Sequence, residues 1–182
     1  MTKSKYYFNF HSEKGVRDFN EDAAWIGVNK SQQLLIVVCD GVGGYERSEV
    51  ASYNTVEVFK NAFNQVDQIA DFKTFYLDCI DQACAIIDEK SADLPKDKKI
   101  GTTINVVLIS HGVCECANIG DSRTYHYAHH NKKWAIASKD QNVFNTIRDR
   151  MQLEKNAHPD QIELIEAKEK AILLQNKERL SY

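Results

Sequence analysis

The stretch LLIVVCDGVGG, residues 34–44, constrains the fold of this chain more than any other part of it. Its first six residues suit a buried strand, but Asp40 follows at once, and glycine then occupies positions 41, 43 and 44. Burying a carboxylate is costly unless a partner compensates its charge. The stretch therefore predicts a strand over 34–39 that delivers Asp40 into a glycine-rich bend where the main chain can be approached closely.

Strand and helix patterns follow one another along the rest of the chain. Apolar residues at helical spacing predict a helix after the glycines, a second over about 70–90, and helical structure from Val143 onward with a break at His158–Pro159. This order predicts an α+β fold with helices laid on antiparallel sheet. Strands are predicted by alternating or β-branched runs at 5–12, 22–28, 102–109, 113–119, 123–129 and 132–137.

Composition narrows the class of protein. A chain of 182 residues, 43% hydrophobic and 27% charged, predicts one globular domain over 1–182. A net charge of -3 argues against a nucleic-acid partner. No apolar run approaches the roughly 18 residues of a membrane span, and the first residues lack a secretory signal. Five cysteines without zinc-site spacing favour reduced thiols, so we expect a cytoplasmic protein with no membrane partner.

Acidic residues stand beside glycines or at strand edges in four places. These are NED (20–22), CDG (39–41), GDS (120–122) and KDQN (139–142). Each alone has a plainer explanation, since Asp-Gly is a common turn and GDSR can be a turn in which Asp121 accepts main-chain hydrogen bonds. Together they indicate a site for a hard cation such as Mg²⁺ or Mn²⁺, which prefers carboxylate, carbonyl and water oxygens.

The sequence does not match three other kinds of site that contain glycine-rich loops or a nucleophile. Tyr45–Glu46 follows the glycines, where a phosphate-binding loop would have Lys-Ser or Lys-Thr. The alternating acids of a calcium loop are missing, and the pattern GxSxG of a serine hydrolase does not occur. We interpret His126 and the pair at 129–130 as solvent-exposed residues of a polar hairpin.

Five motifs in one order resemble the metal-dependent Ser/Thr phosphatases of the protein phosphatase 2C type, and the glycine-rich DGVGG resembles their bacterial branch. The resemblance covers about residues 6–182. The motifs are GVRDFNEDA (15–23), VVCDGVGG (37–44) with AS (51–52), GTT (101–103), ANIGDSR (117–123) and SKDQN (138–142).

The resemblance implies a four-layer β-sandwich of antiparallel sheets flanked by helices, with two Mn²⁺ or Mg²⁺ ions at one end. It implies that Asp40 bridges both ions, that the Gly41 carbonyl and the Glu21 carboxylate bind one of them, and that Asp22 holds metal-bound water. It also implies that Arg17 binds the substrate phosphate. Asp121 resembles the family's contributor to a weaker third metal site.

The expected activity is hydrolysis of phosphoserine and phosphothreonine in proteins by a metal-bridged water. The expected partners are phosphoproteins, with a Ser/Thr protein kinase and its substrates among them. Val42 stands where many eukaryotic relatives have a histidine proposed as general acid, and the bacterial branch tends to lack that histidine too.

A larger departure from the family's pattern lies in the last part of the chain. The family's later SDG and DN stretches, each with a metal carboxylate and a core strand, do not occur after Asp140. We therefore expect a domain that lacks roughly its last quarter and binds the second ion weakly or not at all. Three accounts stay open: a shortened form of a true phosphatase, a catalytically inactive phosphatase-like binding module, or a site completed by a partner chain.

Overall fold

The computed structural model describes residues 6–42, 47–95, 100–141 and 143–177. Residues 1–139 form one compact unit and residues 140–182 a second. The glycines at positions 43 and 44 lie outside the described residues. That the chain is a single incomplete domain stays a prediction.

The first unit contains seven described strands and two helices. They are β1 (Asp22–Val28), β2 (Leu34–Val42), α1 (Ser48–Gln65), α2 (Phe72–Lys90), β3 (Gly101–Thr102), β4 (Ile104–Ser110), β5 (Val113–Ile119), β6 (Tyr125–Ala128) and β7 (Lys133–Ile136). In the second unit, α3 (Val143–Ala157) and α4 (Ile162–Lys177) flank a 3₁₀ turn at Pro159–Gln161, so the predicted break at His158–Pro159 is confirmed.

The strands of the first unit form two antiparallel sheets. The larger has the order β1-β2-β4-β5, with β3 paired to the far end of β2, and the smaller is the β6–β7 hairpin. The predicted α+β class with antiparallel sheets is confirmed. Among the described helices, none is both long and apolar enough to cross a membrane.

The core lies between one face of the larger sheet and the two helices. Val37 of β2 is paired with Val106 of β4, and both side chains are fully buried. Phe59 and Phe63 of α1 pack on this face, and Phe63 meets Trp25 of β1 edge to face at 5.7 Å. Burial of these side chains fixes the register of the sheet, because a slip by one residue would turn every apolar side chain outward.

The helices begin and connect through specific polar contacts. The Asp71 side chain accepts hydrogen bonds from the N–H groups of Lys73 and Thr74 and caps α2. Buried Gln33 donates to the Ile69 carbonyl at 2.9 Å and accepts from the Ile69 N–H at 2.6 Å. This amide therefore ties the turn between β1 and β2 to the connection between α1 and α2.

Three strand predictions need correction. The prediction of a strand over 5–12 is wrong for residues 6–12, which have no strand structure because no described strand pairs with them. The strand predicted to end at Cys39 continues to Val42, because Gly41 and Val42 pair with β3. The run predicted as one strand over 102–109 is interrupted at Thr103.

Tyr76 provides a test of the core. Its hydroxyl is buried and has no hydrogen-bond partner among the described residues, and burial raises the pKa of Tyr76 to about 12. Because an unpaired buried hydroxyl costs about 1–3 kcal/mol, we expect Tyr76→Phe to leave the protein as stable as the wild type or to stabilise it by about 1 kcal/mol. Urea unfolding measures this difference, and a clear loss of stability would show that the hydroxyl has a partner.

Candidate metal centre

Asp22 and Asp40 lie directly opposite each other in the ladder between β1 and β2. The next pair along the strands, Ala23 and Cys39, faces the helices as part of the core. Because side chains alternate along a strand, the two aspartates lie together on the opposite face of the sheet. Like charges directly opposite each other destabilise a sheet, so this pair favours a cation.

The electrostatics of Asp40 reflect this arrangement. Burial raises the pKa of the Asp40 carboxyl above its ordinary value, the neighbouring Asp22 and Asp121 carboxylates raise it further, and Arg17 lowers it. An acid with a raised pKa in the folded state favours folding while it is protonated, and that contribution is lost as pH rises through the raised pKa. Without a cation, ionised Asp40 therefore opposes folding at neutral pH.

Arg17 and Glu21 face each other at the mouth of the site. Arg17 Nη1 donates to Glu21 Oε2 at 3.1 Å, with the arginine side chain largely exposed and the glutamate side chain mostly buried. The Arg17 N–H also closes a turn onto the Lys14 carbonyl at 3.2 Å, with Gly15 between them at a φ of 60°. This turn places the Arg17 guanidinium beside Glu21 in the lining of a cleft, and a guanidinium has five N–H donors.

A cleft of about 140 Å³ lies beside these groups. It brings together Arg17, Glu21, Asp22 and Asp40, four of the six predicted site residues. Carboxylates and a cationic side chain therefore line the same cleft. The complete lining is Glu13, Lys14, Arg17, Phe19, Asn20, Glu21, Asp22 and Asp40.

The main chain of Asp40 is held on both sides by the GTT segment. The Asp40 N–H donates to Thr103 Oγ1 at 3.0 Å. The Asp40 carbonyl accepts from the Thr103 N–H at 2.8 Å, and the Thr102 hydroxyl lies within hydrogen-bond distance of this carbonyl, at 3.0 Å, and of the Thr103 carbonyl, at 2.9 Å. These bonds account for the break between β3 and β4, because Thr103 uses its hydroxyl and its N–H on the same residue of β2.

Gly41 follows in a place with no room for a side chain. A Cβ atom there would lie 2.5 Å from the Ser48 carbonyl oxygen and 2.9 Å from the Glu21 carbonyl oxygen. The Gly41 N–H donates to that same Glu21 carbonyl at 3.0 Å. The start of α1, the residue before β1 and the end of β2 thus meet through main-chain atoms.

Asp121 approaches from the loop after β5. Ser122 Oγ hydrogen-bonds Thr103 Oγ1 at 2.7 Å, and the Ser122 carbonyl accepts from Asn105 Nδ2 at 2.9 Å. Gly120 has a φ of 93°, and a Cβ there would lie 2.8 Å from Thr103 Cγ2. Thr103 therefore supports both Asp40 and the loop that carries Asp121, whose charge reaches Asp40.

The donor set fits a hard divalent cation, although it is small. Asp22 and Asp40 supply carboxylate oxygens side by side, whereas the Glu21 carboxylate is engaged by Arg17. Within the described residues, no three His, Cys, Asp or Glu side chains converge closely enough to form a complete ligand set. A cation here would keep several water ligands, as Mg²⁺ usually does.

Sequence reasoning missed some contributors to the site. Lys14 lies one turn from Arg17 and lines the same cleft, and its spacing of three residues from Arg17 was a usable signal. Thr103 and Ser52 stand in the GTT and AS motifs of the resemblance, but their contacts with Asp40 and with the Glu21 carbonyl join residues far apart in sequence. No local pattern reveals such contacts.

Comparison with known proteins agrees with the geometry. The profile of the family described as Protein phosphatase 2C matches residues 11–172. The serine/threonine phosphatase stp of Listeria monocytogenes serotype 4b is 27% identical over 128 residues, which are 66% of this chain and 50% of that protein. The chain thus spans about half the length of the curated relatives it matches.

Solved structures share the fold. Serine/threonine phosphatase Stp1 from Staphylococcus aureus has a TM-score of 0.68 at 28% identity, over 76% of this chain and 55% of that one. The catalytic domain of the phosphatase PstP, crystallised with 2 manganese ions, has a TM-score of 0.65 at 24% identity, over 77% and 58% of the two chains. The second similarity supports the fold alone.

The opposed aspartates lead to a prediction about stability. In a chelator at neutral pH, we expect Asp40→Asn to unfold at the same temperature as the wild type or about 2 °C higher, because one of two repelling charges is removed. Added Mn²⁺ should raise the midpoint of the wild type, since a ligand that binds only the folded state stabilises it. The Asp40→Asn variant should not respond.

Differential scanning fluorimetry with and without Mn²⁺ measures both effects. Asp18→Asn is the matched control, because Asp18 is an exposed acid of the neighbouring loop that does not line the cleft. It should keep the full response to Mn²⁺. An equal response from Asp40→Asn and the wild type would place the cation elsewhere.

Proposed function

This chain belongs to the protein phosphatase 2C family, and on that premise we propose that its protein is a metal-dependent serine/threonine phosphatase. The observation that carries the proposal is the Asp22–Asp40 pair in one cleft with Arg17. A carboxylate pair that favours a cation and an arginine that can bind a phosphate are what phosphoester hydrolysis requires.

We propose that Asp22 and Asp40 hold Mn²⁺ or Mg²⁺, with Glu21, the Gly41 carbonyl and Asp121 as further contributors. When bound, the ions supply a water of lowered pKa and positive charge for the phosphoryl oxygens. Asp22, the more exposed aspartate, orients water by accepting its hydrogen bonds. Arg17 donates to the phosphate with the N–H groups that Glu21 leaves available, because a guanidinium has five donors.

The remaining residues keep this arrangement fixed. Thr103 holds the main chain of Asp40 through two hydrogen bonds, so its carboxylate need not reorganise during the reaction. Lys14 adds a second cation on the rim of the cleft. The cleft is open and polar, which suits a phosphorylated side chain presented on a protein surface.

The substrates we propose are phosphoserine and phosphothreonine in proteins, including a Ser/Thr protein kinase and its targets. The substrate class is supported by the family and by the names of relatives such as stp. We place the reaction in the cytoplasm, because all five cysteines are free thiols and two of them, Cys39 and Cys79, are buried in the core.

The decisive assay is Mn²⁺-dependent release of phosphate from a phosphothreonine peptide. We expect Asp40→Asn to lower kcat/KM by a factor on the order of a hundred or more, because a metal centre supplies several kcal/mol to the transition state. Asp18→Asn should retain wild-type turnover. Peptide binding without turnover at any Mn²⁺ concentration would refute the enzyme and support a phosphopeptide-binding module.

A further inference from the structure

Ser52 makes a contact that leaves its own helix. It lies one turn into α1, its side chain is buried, and its hydroxyl donates to the Glu21 carbonyl at 2.6 Å. A second acceptor, the Glu49 carbonyl of the same helix, is farther away at 3.2 Å. A serine hydroxyl has one proton to donate, and the shorter distance directs it to Glu21.

The Glu21 carbonyl is the point where three elements meet. It accepts hydrogen bonds from Ser52 of α1 and from the N–H of Gly41 in β2, while Glu21 itself precedes β1. A Cβ on Gly41 would clash with the main chain of Ser48 and Glu21. Of the two hydrogen bonds that this carbonyl accepts from Ser52 and Gly41, the Ser52 hydroxyl supplies the one from a side chain.

This carbonyl belongs to the peptide that joins Glu21 to Asp22. Rotation of that peptide would move the Glu21 carboxylate, which pairs with Arg17, and the Asp22 carboxylate, which lies opposite Asp40. Two hydrogen bonds to one carbonyl oxygen oppose such rotation. The Ser52 hydroxyl thus influences the positions of the Glu21 and Asp22 carboxylates without contacting either of them.

We propose that Ser52 is a positioning residue of the metal centre. By holding the Glu21–Asp22 peptide, it keeps the Asp22 carboxylate opposite Asp40 and the Glu21 carboxylate beside Arg17. The inference rests on the metal centre of the proposed function and adds a residue of α1 to it. Partners that orient metal ligands typically contribute about 10–100-fold to metal affinity.

Two other buried hydroxyls show what a purely structural role looks like. Thr55 Oγ1 donates to the Ala51 carbonyl at 2.8 Å, within α1. Ser91 Oγ donates to the Ile87 carbonyl at the end of α2. The hydrogen bonds of Thr55 and Ser91 thus stay within one helix and its cap, whereas the Ser52 hydroxyl reaches the residue before β1.

The experiment measures Mn²⁺ binding to the full chain by isothermal titration calorimetry, without any assay of activity. We expect Ser52→Ala to weaken Mn²⁺ binding by about tenfold. The matched control is Ser91→Ala, the same substitution at another buried serine, which should change Mn²⁺ affinity less than about twofold. Thermal midpoints in a chelator give the loss of fold stability for each variant.

A second pair of variants separates the hydrogen bond from packing. Ser52→Cys keeps nearly the shape of serine but is a weak donor, so it should fold and still lose Mn²⁺ affinity relative to Ser91→Cys. The proposal fails if the Ser52 and Ser91 variants bind Mn²⁺ equally well. Failure of the wild type to bind Mn²⁺ at all would overturn the metal centre as well, which distinguishes the two results.

Discussion

Two negative charges held face to face by a strand ladder are the constraint around which this site is built. Asp22 and Asp40 are kept opposite each other in the ladder, because the pairs beyond them continue into a core that fixes the register of β1 and β2. The sheet thus uses apolar burial, worth about 25 cal/mol per Å², to hold a repulsive pair. The folded chain therefore holds the two carboxylates together before a cation binds, and this arrangement favours cation binding.

Contacts from three other parts of the first unit support the site around Asp22 and Asp40. β3 extends β2 past Asp40, and Thr103, the residue after β3, satisfies the main-chain N–H and carbonyl of Asp40. The loop after β5 brings Asp121 within electrostatic range through Thr103 and Ser122. Helix α1 fixes the residue before β1. Each support comes from a different part of the first unit, so the precision of the site depends on the fold of that unit.

The sequence allowed much of this to be predicted where the signal was local. The bounds of β1 and β5 agree with prediction, and the helical break at His158–Pro159 is present, because periodicity and proline act over a few residues. The strand expected over 5–12 failed for the described residues, since a strand also needs a partner. The extension of β2 was missed because Asp-Gly resembles a turn, whereas pairing with β3 keeps the segment extended.

The crowding around Gly41 has a consequence for how such a sequence can change. The atoms that exclude a Cβ are carbonyl oxygens and a carbonyl carbon of Ser48 and Glu21, and every amino acid has those atoms. Trimming a neighbouring side chain therefore cannot make room, so no single compensating substitution rescues a larger residue there. A residue larger than glycine at this position therefore requires α1 to move relative to the sheet, which ties the identity of one residue to the packing of two elements.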